Sequence, residues 1–79
     1  MMAQTFGAAV NAFLSRSPFR PFVIELNTGT RLTVIHPEAI SLRGLFAVYN
    51  DPVTFLRQVF DATSVLRICE LPRANPPPQ

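Results

Sequence analysis

One cysteine, one histidine, three glycines and no lysine in 79 residues remove several chemistries at once. A disulfide needs two cysteines, and Cys69 stands alone. A structural zinc site wants about four Cys or His ligands, and Cys69 with His36 supplies only two candidates. Glycines at 7, 29 and 44 are too few and too scattered for a phosphate-cradling loop. No apolar run approaches the roughly 20 residues of a membrane-spanning helix. The opening "MMAQTFGAAVNAFL" has no basic region and is interrupted by Asn11, which argues against a secretory signal. A lone cysteine suits a reducing compartment, so a cytoplasmic location is the expectation. No metal, cofactor or membrane partner is implied.

Catalysis has little to work with. A nucleophile needs a base within reach and a group to orient that base. The only Cys/His pair is Cys69 and His36, and Cys69 lies among alternating apolar residues, where cysteine behaves as a small hydrophobe. Glu25, Glu38, Asp51, Asp61 and Glu70 form no suggestive local pair. The expectation is a protein that is not an enzyme.

What is abundant is apolar surface. The chain is 48% hydrophobic and 15% charged. A domain this short buries a modest fraction of its surface, and small chains compensate with disulfides, metals or oligomerisation. With the first two excluded, self-association remains. All seven basic residues are arginine. A GC-rich genome is the simplest source of that bias; selection for planar contacts to phosphate or carboxylate is the alternative. The arginines are spread singly rather than gathered in the stripe usual for nucleic-acid binders.

Along the chain, Thr5 can cap a helix, and Phe6, Val10, Phe13 and Leu14 recur at helical spacing. Ser17-Pro18 ends it, so residues 1–17 form a helix that packs on the rest. "SPFRPF" is a stiff link whose Arg16 and Arg20 could form a small basic spot, with Arg16 also placed to complement the helix C-terminus. Phe22–Glu38, "FVIELNTGTRLTVIHPE", reads as a hairpin. A three-residue loop with Gly29 in the left-handed region pairs Ile24 with Leu32 and Phe22 with Val34, keeping one apolar face. The same register sets Glu25 opposite Arg31 as a cross-strand ion pair.

The next segments are "AISL", a turn at Arg43-Gly44, "LFAVYN", a turn at Asn50-Asp51-Pro52, "TFLRQVF", a helical turn at Asp61–Ser64 and "VLRICEL". Residues 18–71 thus read as a small strongly bent five-stranded antiparallel sheet or barrel, mainly β behind the N-terminal helix. Residues 72–79, "PRANPPPQ", read as a disordered Pro-rich tail. His36-Pro37-Glu38 ends a strand, because proline cannot donate to a ladder. His36 reads as half-buried, with contact to RNA or a partner as the alternative. Most of the phenylalanines fall on core positions, and Tyr49, beside the Asn50-Asp51-Pro52 turn, is the best exposed aromatic.

This order resembles the Sm-like fold, and within it the Hfq family of bacterial RNA chaperones; SH3-like barrels share the strand order. The likeness is carried by "NAFL" in the helix, by "VIELNTGTRL" in the position of the first Sm motif, and by "QVFDATSVLRI" in that of the second. It covers most of residues 5–71. It implies ring formation, in line with the homo-oligomer expected from composition, and, by analogy of fold, single-stranded RNA as ligand. On the residue readings above, Arg16, Arg20, His36 and Tyr49 are the candidate contacts to RNA or a partner. A protein–protein adaptor or accessory subunit without nucleic-acid binding is the competing expectation. The Lys-His pair with which that family helps bind uridines is matched here by Phe60-Asp61-Ala62, and the glycine of its second strand by Val34. Uridine recognition is therefore not implied. The chain is also similar to small uncharacterised bacterial proteins that share Phe19-Arg20-Pro21-Phe22, Gly29 and His36-Pro37-Glu38, a pattern that brings no activity with it.

Overall fold

The computed structural model describes residues 1–71, and the expectation for the Pro-rich tail lies outside them. Helix α1 spans Ala3–Leu14. Strands β1 (Phe22–Leu26) and β2 (Arg31–Val34) follow, then a 3-10 turn at Pro37–Ala39. Strands β3 (Ile40–Arg43), β4 (Phe46–Asn50) and β5 (Arg57–Asp61) come next, then a second 3-10 turn at Ala62–Ser64 and strand β6 (Val65–Glu70). The fold is mainly β, as expected. The expected single five-stranded sheet or barrel is not found. Among the described residues six strands form two three-stranded antiparallel sheets, ordered β2-β1-β6 and β3-β4-β5, and no closed barrel forms. Among the described residues no helix is long and apolar enough to cross a membrane.

The hairpin follows its apolar pattern. Phe22 pairs with Val34, Ile24 with Leu32 and Glu25 with Arg31. Gly29 sits at φ +90°, a left-handed conformation that glycine adopts freely, and its N–H donates to Leu26 O at 2.9 Å. The expected Glu25–Arg31 ion pair is replaced, however. Glu25 lies on the central strand with Arg67 of β6 on its other side, and its carboxylate takes Arg67 Nε at 2.6 Å instead.

The division into two sheets falls between Val34 and Ile40. β2 stops at Val34, opposite the first residue of β1. The chain then turns through Pro37–Ala39, where a proline suits a turn better than a ladder, and restarts as β3 in the other sheet. The two buried faces then close on one another. Phe22, Ile24, Leu26, Leu32 and Val34 meet Ile40, Ala47, Tyr49 and Phe60 in one cluster. Helix α1 spans both sheets. Phe6 meets Phe60 edge-on, centroids 5.9 Å apart, while Phe13 stacks on Phe22 at 4.8 Å.

Two expectations about the helix are corrected. Thr5 lies inside it rather than at its cap; Met2 holds the cap position and gives no side-chain hydrogen bond. The helix ends at Leu14, not Ser17, and Arg16 follows its C-cap residue Ser15.

Ile24 is fully buried where the central strand of the first sheet meets the core. Ile24→Ala is expected to cost about 2–5 kcal/mol, a large share of a small domain's stability. Urea denaturation checks it: the midpoint should fall while the slope with urea stays that of the parent.

Candidate functional site

The break after β2 brings together two segments singled out by sequence. His36 has extended backbone, and its carbonyl accepts the N–H of Ala39 at 3.0 Å. Facing it is the Asn50-Asp51-Pro52 turn. Asp51 Oδ1 accepts the N–H groups of Val53 at 2.8 Å and Thr54 at 3.1 Å. These two backbone bonds, Thr54's first, hold the Asp51 carboxyl below its ordinary range. The Asp51 carbonyl also accepts Phe55 N–H at 2.9 Å. Phe55 adopts φ +62°, which for a non-glycine residue costs about 1–3 kcal/mol. That backbone leaves its ring 85% exposed. His36, Glu38, Ala39, Asn50, Asp51, Pro52 and Phe55 line a cleft of about 290 Å³ between the two segments.

The cleft offers an apolar wall with an imidazole and two carboxyl groups at its rim. It contains no nucleophile; Cys69 is half-buried in β6. Among the described residues no three His, Cys, Asp or Glu side chains stand close enough to hold a metal ion.

A larger surface lies on the second sheet. Directly paired residues share a face. Register therefore sets Arg43, Phe46 and Asp61 in one outward row and Ser41, Val48 and Val59 in the next. Phe46 and Val59 are more than half exposed on that face. Six of the ten exposed large apolar residues of the described chain fall within Leu45–Val59: Leu45, Phe46, Val53, Phe55, Leu56 and Val59. β5 is bare as well, with Arg57, Gln58 and Val59 all exposed. Grooves flank it on both sides. One of about 510 Å³ separates it from the hairpin tip at Leu26–Thr28, and one of about 410 Å³ runs past Leu32, Tyr49 and Leu56.

The four residues expected to make contacts have separate fates. Tyr49 is buried, not exposed, and its hydroxyl donates to Thr33 O at 2.8 Å. That bond ties β4 of one sheet to β2 of the other. Burial first, then the charge of Asp51, raises the phenol above its ordinary pKa. Arg16 pairs with Glu70 at 2.6 Å and lies 4.5 Å over the Phe13 ring, so it braces the helix end against β6. Arg20 is exposed in the link. His36 is exposed rather than half-buried, because the strand alternation ends at Val34 before reaching it. Only His36 contributes to the cleft.

Phe46, Phe55, Leu56 and Val59 are the residues that sequence reasoning left in the core or in a strand. "TFLRQVF" becomes a strand only from Arg57. A signal was present: in Val53–Leu56 three apolar residues crowd into four, straight after a turn, and no single face can bury them. No protein-family model, curated protein or solved structure matches the chain.

Tyr49→Phe removes the bond between the sheets and is expected to cost about 0.5–1.5 kcal/mol, read from chemical denaturation. Acid titration tests Asp51. Its folded pKa lies below the unfolded value of about 3.9. Its contribution to stability is therefore present above that value and is lost as pH falls through the folded pKa. Asp51→Asn keeps an acceptor for the turn but cannot titrate, so the loss of stability between about pH 4 and pH 2 should become shallower.

Proposed function

We propose that this protein is a non-catalytic β module that acts by self-association. The observation that carries this reading is the concentration of exposed apolar side chains between Leu45 and Val59. Scattered apolar residues on a surface are ordinary, but a contiguous group marks a partner site. The small size of the chain supports it too, since association adds buried area that one small core lacks. The Sm-like resemblance, a family of ring-forming proteins, points the same way.

Single-stranded RNA is the second reading, favoured by one arrangement. Phe46 is exposed on the same outward face as Arg43 and Arg57. An aromatic platform flanked by cations is how strand-tracking proteins hold unpaired bases. Without RNA, the same surface serves an accessory subunit that docks on a protein assembly.

Light scattering during gel filtration tests the proposal. A mass above that of the monomer is expected at micromolar protein, and Leu56→Ser should shift it toward monomer without changing the circular dichroism spectrum. A parent chain that stays monomeric at every concentration would sink the proposal. For RNA, a labelled single-stranded oligomer should bind more weakly as salt rises and more weakly again to Phe46→Ala. Absence of binding at low salt leaves the accessory-subunit reading.

A further inference from the structure

We propose that the free edge of β5 pairs with β5 of a second copy, antiparallel and centred on Val59, joining three strands from each copy into one continuous sheet. This rests on the self-association proposed above and assigns its geometry.

The phase of the ladder shows which groups face outward. Asp51 N–H donates to Leu56 O at 2.9 Å, and Asn50 is the register partner of Arg57. In an antiparallel ladder, pairs that exchange hydrogen bonds alternate with pairs that do not. Tyr49–Gln58 and Ala47–Phe60 are therefore the bonded pairs with β4. The N–H and C=O groups of Arg57 and Val59 point to the open edge, while Asp61 caps the 3-10 turn that follows. No other strand of the described chain pairs with that edge. An uncovered edge of this kind is a template for another strand.

The order of side chains along β5 is symmetric in the sense such a pairing needs. Arg57, Gln58, Val59, Phe60 and Asp61 carry opposite charges at the two ends and valine at the centre. Antiparallel self-pairing about Val59 sets each Arg57 opposite the other copy's Asp61, twice, with valine against valine between them. Val59 at the centre and Arg57 beside it are residues whose backbone groups face that edge, and Asp61 meets Arg57 through its carboxylate. Arg57, Val59 and Asp61 also share the outward face with Phe46 and Val48, so the joined sheet carries one unbroken apolar band.

The other edges are less suited. β2 and β3 carry arginine and no acid, so self-pairing brings no opposite charges together. On β6 the charges are taken within the chain: Arg67 holds Glu25 and Glu70 holds Arg16. Arg57 and Asp61 have no ion-pair partner among the described residues; Arg57 Nε reaches Asn50 Oδ1 at 3.4 Å, and Asp61 accepts the hydroxyls of Thr63 and Ser64.

Charge exchange is the test. Arg57→Glu and Asp61→Arg should each weaken the dimer about tenfold or more in light-scattering titrations, since each sets like charges opposite one another. The double variant R57E/D61R restores both pairs and should return to within about threefold of the parent. Asp61 also braces the following turn, so a cross-link provides a readout independent of its substitution. In a Cys69→Ser background, Val59→Cys should form a disulfide-linked dimer on mild oxidation, because directly bonded partners lie about 5.5 Å apart at Cα. Gln58→Cys in the same background faces the other side of the sheet and should not. A multimer that neither responds to the charge exchange nor cross-links through residue 59 overturns the β5 pairing while leaving self-association in place. A monomer at all concentrations overturns both.

Discussion

The break in pairing between Val34 and Ile40 governs the architecture. A bent strand running without interruption from Arg31 to Arg43 would carry the sheet around a corner and toward closure. Pairing ends instead at Val34, opposite the first residue of β1, and the chain turns through Pro37–Ala39 before it resumes in a second sheet. Both sheets then have two edges each. The cleft at His36 lies where the pairing was broken, and β5 lies at an edge of the second sheet.

Two open sheets need something to hold them face to face. Backbone pairing cannot do it, so side chains do. Tyr49 reaches across to the Thr33 carbonyl, and the helix rings grip one sheet at Phe60 and the other at Phe22. Arg16, stacked over Phe13 and paired with Glu70, fastens the end of the helix to β6. Arg16 is thus committed to the helix and the first sheet, and Arg43 and Arg57 of the second sheet are the cations on the outward face with Phe46.

How much of this could be read from sequence depended on how local the cause was. The hairpin was legible because strict alternation and one glycine admit a single register. The turn at Asn50-Asp51-Pro52 and the 3-10 turn at Ala62–Ser64 were legible from their own residues. Tyr49 was misjudged because its burial depends on the first sheet lying over it, a fact that no stretch around Tyr49 contains. Glu25 was assigned the wrong arginine because β6, which brings Arg67 beside it, arrives some forty residues later. Phe46 and Phe55 were counted with the core because phenylalanine in a strand-like run usually belongs there.

The exposed band also explains why so small a chain can tolerate an open architecture. A closed barrel satisfies its edges internally, and a domain with four sheet edges does not. An unpaired β5 and an apolar face are unfavourable in an isolated chain, and the proposed association would cover both at once. Binding of a second copy to the folded state alone raises the apparent stability with protein concentration. On the proposed pairing, the exposure that weakens an isolated copy and the exposure that selects its partner would be one property of the same strand. Folding and assembly would then be coupled through β5, in proportion to how much of the Leu45–Val59 surface the second copy covers.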